Sequence, residues 1–242
     1  MYFRALATDY DGTIAEHGAV PPDTVEALLR LGRSGRRLIL VTGRELEDLR
    51  RVLPDLGLFD RIVAENGGVL YDPATTRLRM LAPPPPFSLV EMLMRRRIEP
   101  ISVGHTIVAT WVPHEMAVLQ AIEELGLDFK ITFNKGAVMV MPHGIDKASG
   151  LAEALHDLRL SRLNVVGVGD AENDGAFLAA CGCSAAVANA LDTVKQRCDL
   201  RLPGSHGAGV IELVARILQE DAGLAPVARH GLLLGRTRSG DP

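Results

Sequence analysis

Asp9 and Asp11 stand two residues apart, directly after the apolar run 2–8. Two carboxylates that close repel each other, so burying them calls for a counter-charge, and a divalent cation supplies one. An ordinary acidic turn closing a strand has the same local pattern. Asp170 and Asp174 follow a second apolar run, 163–168, and four carboxylates converging without a cation would be costly. All these ligands are hard oxygens, with no His or Cys nearby in sequence, which suits Mg²⁺. Thr42, the backbone N–H of Gly43 and Lys147 lie at neighbouring strand and helix ends, and offer donors for the oxygens of a phosphate held beside the cation. A Thr at a strand end also serves as a cap. A Lys opening a helix, where the dipole disfavours a cation, points more to a ligand than to a solvated surface. Arg44 either meets a substrate or pairs with a surface carboxylate, and Glu172 reads as a solvated or capping residue.

The elements that must position these residues alternate. Run 2–8 ends at Asp9-Tyr10-Asp11-Gly12-Thr13, and Pro21-Pro22-Asp23-Thr24 then opens a helix with Val25, Leu28, Leu29 and Leu31 on one face. Strand 37–41 ends at Thr42-Gly43-Arg44, helix 45–53 follows, and strand 61–64 ends at Glu65-Asn66-Gly67-Gly68. Continuously apolar strands alternating with helices predict a parallel sheet covered on both faces. Ligands bind beyond the carboxyl ends of such strands, so the polar clusters should meet in one crevice.

Segment 81–86, with four consecutive prolines, is a stiff linker. It leads to helix 87–97, strands at 101–103 and 106–112, helix 114–125, and a hairpin of 129–133 and 137–141 turned by Asn134-Lys135-Gly136. This is a small α+β module. From Asp146 the first pattern resumes with helix 147–158, strand 163–168 ending at Gly169-Asp170-Ala171-Glu172-Asn173-Asp174, a further helix, strand 184–187 and a last helix from Gly207 to about Glu220. The expected fold is therefore α/β, with a parallel-sheet core (1–80 and 144–222), an inserted cap (81–143) and a segment 223–242 that is a tail or the opening of a further module.

A net charge of −4 argues against nucleic acid as the main partner, and Arg95-Arg96-Arg97 is too short a basic run to change that. No stretch approaches the roughly 18 apolar residues of a membrane span. The N-terminus enters a strand at once rather than through a signal peptide. Three cysteines, Cys181, Cys183 and Cys198, show no paired ligand spacing and read as thiols of a reducing compartment. The cytoplasm is the expected location.

Taken in order, Asp9-Tyr10-Asp11-Gly12-Thr13, Val41-Thr42-Gly43-Arg44, Gly144-Ile145-Asp146-Lys147 and Gly169-Asp170-Ala171-Glu172-Asn173-Asp174 resemble the motifs of haloacid dehalogenase-superfamily phosphatases of the Cof type, across residues 1 to about 220. Glu65-Asn66-Gly67-Gly68 resembles that family's turn before the cap. The resemblance implies an Rossmann-like core and an Mg²⁺-dependent phosphomonoester hydrolase acting on a small phosphorylated metabolite. In it Asp9 is the nucleophile that forms an aspartyl-phosphate, and Asp11 the general acid and then base. The side chains of Asp9 and Asp170 and the main-chain carbonyl of Asp11 hold Mg²⁺, with Asp174 a further ligand or one acting through water. Thr42, Gly43, Lys147 and Asn173 bind the phosphoryl group, and Tyr10 contributes its backbone N–H. The cap closes over the leaving group, with Arg96, His105 and Lys135 as its candidate contacts. Its small size resembles that of archaeal-type phosphoglycolate phosphatases, and sugar-phosphate phosphatases are related. A phosphomutase of the same fold and a regulatory domain of a larger protein are the alternative readings.

Overall fold

A computed structural model describes residues 2–224. Along the chain run β1 (Ala5–Thr8), α1 (Pro22–Arg33), β2 (Arg37–Val41), α2 (Leu46–Val52), β3 (Arg61–Ala64), β4 (Val69–Asp72) and β5 (Arg77–Met80). The next segment holds α3 (Phe87–Arg95), β6 (Ser102–Val103), β7 (Val108–Trp111), α4 (Glu115–Glu124), β8 (Phe129–Asn134) and β9 (Ala137–Pro142). The chain then continues through α5 (Lys147–Leu158), β10 (Val165–Gly169), α6 (Gly175–Ala180), β11 (Cys183–Ala186), α7 (Asp192–Lys195), β12 (Leu200–Arg201) and α8 (His206–Glu220).

Eight strands form one sheet in the order β12-β11-β10-β1-β2-β3-β4-β5. The run from β12 to β3 is parallel, as the uninterrupted apolar strands require, because both faces are covered. β1 and β10 are buried at every residue, and β2 at every residue but Arg37. α1 packs on α8 and β2, while α5 packs on α6 and on β2, β3 and β4. Burying side chains such as Leu6, Leu40 and Ile62 stabilises this layer by roughly 1.5–3 kcal/mol each.

β4 and β5 add antiparallel to the β3 edge, so the sheet is mixed rather than wholly parallel. Neither these strands nor the two-residue β12 are announced by periodicity. β5 carries Arg-Leu-Arg-Met at an exposed edge, and its charges protect that edge rather than build a core.

The residues between β5 and α5 form a second layer. A four-stranded antiparallel sheet, ordered β6-β7-β9-β8, packs against α3 and α4 around Leu89, Leu93, Ile98, Val108, Val118, Ile122 and Val140. The β8–β9 turn is tighter than expected. Asn134 pairs with Ala137, leaving Lys135 and Gly136 as the two turn residues, both left-handed (φ 49° and 91°), as a type I′ hairpin demands.

Where β3 ends, Glu65, Asn66 and Gly67 are left-handed in succession (φ 51°, 53° and 106°). For the two non-glycine residues that conformation costs on the order of 1–3 kcal/mol each. The surroundings hold it in place. The fully buried Glu65 carboxylate accepts from the N–H (2.8 Å) and hydroxyl (2.9 Å) of Thr106 and from the N–H of His105 (3.0 Å), so the β6–β7 turn is clasped to the main sheet. Asp221, just past α8, accepts from the backbone N–H groups of Tyr2 (2.7 Å) and Phe3 (3.1 Å). Of the C-terminal segment set apart by sequence, residues 225–242 lie outside the described residues.

A Cβ on Gly67 would fall 1.9 Å from the carbonyl oxygen of Asp146 as well as strain its φ of 106°. Gly67→Ala is expected to lower unfolding free energy by about 2–4 kcal/mol. Gly126→Ala, at φ 60° with open space around it, should lose about 1 kcal/mol. Denaturant titration of both variants checks the difference.

Candidate active site

β1 lies between β10 and β2, and the register aligns Thr8 with Val168 and with Leu40. The loops after these three strands therefore open at one level. Asp9, Asp170 and Asp174 converge there, each buried, with carboxylate oxygens within 4.8 Å of one another. Asp174 is fixed by backbone N–H groups of Asp170 and Ala171, each 2.9 Å from its Oδ2. Thr13 donates to Asp170 Oδ1 at 3.0 Å.

Lys147, the first residue of α5 and only 1% exposed, places its ammonium 2.6 Å from both Asp9 Oδ1 and Asp174 Oδ1. Asp146 caps that helix by accepting from the Ser149 N–H at 2.8 Å, which fixes where the lysine starts. Burial works against the lysine's charge, but the two carboxylates outweigh it and hold its pKa above the ordinary value. Asp9 moves the other way. Desolvation first, and then repulsion from Asp174, push its pKa up to about 8 despite Lys147. Asp170 is likewise raised, chiefly by desolvation. One buried ammonium does not offset three buried carboxylates.

The donor set is wholly oxygen, and a cationic group already rests on part of it. Lys135 Nζ lies 2.6 Å from Asp170 Oδ2 and 3.0 Å from the Asp11 carbonyl. These residues fit a hard divalent cation.

The Asp11 side chain turns away from the cluster. Its two oxygens accept from Arg44 Nε (2.6 Å) and Nη2 (2.8 Å), and Arg44 also pairs with Asp48. Arg44 thus holds a residue of the site itself, and its carboxylate partners keep its pKa above the ordinary range. The Tyr10 ring is buried below Arg44, 5.4 Å from its guanidinium carbon, and the hydroxyl donates to the Gly18 carbonyl at 3.0 Å. Burial pushes that phenol up to about 12. The Tyr10 ring is thus engaged by the core, and the Tyr10 carbonyl accepts from the N–H groups of Thr13, Ile14 and Ala15. Thr42 is buried, and its hydroxyl oxygen accepts from the Arg44 N–H at 3.1 Å. Asn173 donates to Asn66 Oδ1 at 2.9 Å, while its own buried carbonyl oxygen has no protein partner. Gly43 faces both these asparagines.

Of the cap residues singled out by sequence, Lys135 alone reaches the carboxylates. Arg96 binds the Ala117 carbonyl and Glu124 on the far side of the cap, and His105 belongs to the Glu65 clasp. Glu65, Asn66 and Thr13 were named within their motifs but given no role of their own. The three left-handed positions that aim the first two have no sequence signal beyond Gly67.

The arrangement defines a doubly wound α/β protein with an acidic crevice at the carboxyl ends of its central strands. The sequence pattern of haloacid dehalogenase-like hydrolases matches residues 6–81 and 112–214, and the chain belongs to that family. A phosphoglycolate phosphatase of Methanothermobacter thermautotrophicus is 28% identical over 226 residues, covering 89% of this chain and 99% of that protein. One of Methanopyrus kandleri is 30% identical over 228 residues, covering 89% and 97%. A crystal structure of a haloacid dehalogenase-like hydrolase from Bacteroides thetaiotaomicron has the same fold, with a TM-score of 0.74 at 19% identity over 89% of this chain and 99% of that one.

The raised Asp9 pKa has a direct consequence for the metal-free protein. The unfolded chain has released this proton by about pH 5, whereas the folded chain keeps it, so stability is greatest at low pH and is lost as pH rises toward about 8. Melting temperature without divalent cation should therefore fall across this window. Asp9→Asn should flatten the slope, and Mg²⁺ should remove it by compensating the ionised carboxylate. Thermal melts of both proteins, with Mg²⁺ and with EDTA, check this.

Proposed function

We propose that this hydrolase is an Mg²⁺-dependent phosphatase of a small phosphorylated metabolite, acting through an aspartyl-phosphate on Asp9. The observation that carries the reading is the convergence of Asp9, Asp170 and Asp174 at the mouth of the central strands, with the buried Lys147 ammonium 2.6 Å from both Asp9 and Asp174. Bound Mg²⁺ would be held by Asp9, Asp170, the Asp11 carbonyl and, directly or through water, Asp174, and would offset charge on the phosphoryl oxygens.

In this reading an Asp9 oxygen attacks phosphorus, and the P–O bond to the leaving group breaks as Asp11 gives that oxygen a proton. Asp11 then takes a proton from the water that attacks the aspartyl-phosphate, freeing inorganic phosphate and restoring Asp9. Arg44, bound to both oxygens of Asp11, aims the carboxyl group and must yield one hydrogen bond when it carries a proton. Thr42, the Gly43 N–H, the Tyr10 N–H, Lys147 and Asn173 surround the transferring group. The orphaned Asn173 oxygen supports a role in which that side chain reorganises around a ligand.

Residues 1–80 and 144–222 act as the core, and 81–143 as a cap that closes over the leaving group. The names of the Methanothermobacter and Methanopyrus relatives favour a phosphoglycolate-like ester, with sugar phosphates next. Among the described residues no helix is long and apolar enough to cross a membrane. We assign the protein to the cytoplasm because its cysteine pattern suits a reducing compartment.

Phosphate release from phosphoglycolate, hexose monophosphates, disaccharide phosphates and nucleotides, with Mg²⁺ and with EDTA, tests the reading. Turnover should need the metal and concentrate on one small ester. Asp9→Asn should keep the fold, as judged by circular dichroism, and lose ~10³-fold or more of kcat. Near-normal turnover by that variant would overturn the covalent route.

A further inference from the structure

Between the main sheet and the cap lies a cavity of about 500 Å³. Its core wall includes Asp11, Gly43, Arg44 and Arg51, and its cap wall includes Ile101, Trp111 and Met139. Everything the cap contributes to that lining is uncharged except Lys135. A leaving group expelled beside Asp11 and Gly43 has this cavity to enter, so the cap meets it with apolar surface, the neutral polar groups of Ser102, Thr110 and Asn134, and one ammonium.

The hairpin backbone sets where that lysine side chain begins. The two-residue β8–β9 turn holds Lys135 left-handed at φ 49° and points the hairpin at the core. Its Nζ rests on Asp170 Oδ2 at 2.6 Å and the Asp11 carbonyl at 3.0 Å, while the side chain remains 46% exposed. Gly12 leaves it room, since a Cβ there would fall 2.2 Å from Nζ. The neighbouring core cation Arg44 is already engaged by Asp11 and Asp48.

We infer that Lys135 is the residue that selects a substrate with a second negative charge close to the ester oxygen, binding a carboxylate on a short leaving group. The inference rests on the phosphatase reading and deepens it. When a divalent cation takes the Asp170 and Asp11 oxygens, the ammonium loses its core partners and needs an anion. Because the turn brings it down to the strand ends, that anion must sit within a few atoms of the phosphoryl group. A neutral leaving group would leave the cap's only charged lining residue without an anion. An ammonium–carboxylate pair in such a half-enclosed site is a charge-assisted hydrogen bond, stronger than one to a neutral hydroxyl.

The test compares phosphoglycolate with ethyl phosphate, which differs in lacking the carboxylate, at Mg²⁺ concentrations saturating for each protein. Wild type should prefer phosphoglycolate. Lys135→Met should lower kcat/KM for phosphoglycolate at least tenfold more than for ethyl phosphate, mainly through KM, and Lys135→Arg should restore part of the preference. A binding readout independent of turnover is the calorimetric affinity for phosphonoacetate against ethylphosphonate. Lys135→Met should abolish the advantage of the carboxylated inhibitor. Equal losses on both esters, or an unchanged preference, would overturn the role of Lys135. A wild type that hydrolyses ethyl phosphate as well as phosphoglycolate would also overturn it while leaving the phosphatase reading standing. Hydrolysis of no phosphate ester with metal present would defeat both.

Discussion

Excess negative charge at the carboxyl ends of the central strands is the constraint on which the rest of this structure depends. Asp9, Asp170 and Asp174 are buried together, with the interior ammonium of Lys147 bonded to Asp9 and Asp174 and the half-exposed Lys135 on Asp170. Such a grouping is unfavourable, and burial first, with repulsion from Asp174 added, raises the pKa of both Asp9 and Asp170. It persists because the surrounding backbone over-determines it. Asp174 is held by two N–H groups, Lys147 by a capped helix start, and Asp9 by a strand buried on both faces. A site built this way is pre-organised for a cation and an anion that arrive from outside.

The same economy of position governs how the cap meets the core. The strained run Glu65-Asn66-Gly67 turns one buried carboxylate into the clasp for the β6–β7 turn, and sends the next side chain, Asn66, to Asn173 in the crevice. Cap placement and site geometry are thus adjusted by one three-residue segment. On the other side of the cap sheet, the tight β8–β9 turn delivers Lys135 to Asp11 and Asp170. Two contacts at opposite ends of this small antiparallel sheet tie it to the strand ends of the main sheet.

Much of this was legible in the sequence. Apolar runs followed by acidic or hydroxyl-bearing turns placed β1, β2, β3 and β10 and their loops correctly, because buried parallel strands leave an unbroken hydrophobic signature. The antiparallel β4–β5 edge was not legible. Its strands are short and β5 is largely exposed, so the pairing is decided by available backbone groups on β3 rather than by side-chain pattern. The partner of Arg44 was open for a related reason. Whether this guanidinium meets a substrate or a carboxylate depends on where two loops from adjacent strands meet, and it pairs with Asp11 and Asp48.

The sequence by itself determined the α/β class and pointed to the acidic turns after β1 and β10, since each follows from local composition, periodicity and motif order. Only the tertiary structure decided which carboxylates share Lys147, that the Asp11 side chain faces Arg44 while its carbonyl faces Lys135, and that Glu65 serves the cap. Those outcomes depend on distances of a few ångströms between segments remote in sequence, where burial and charge shortage, not local preference, select the partner.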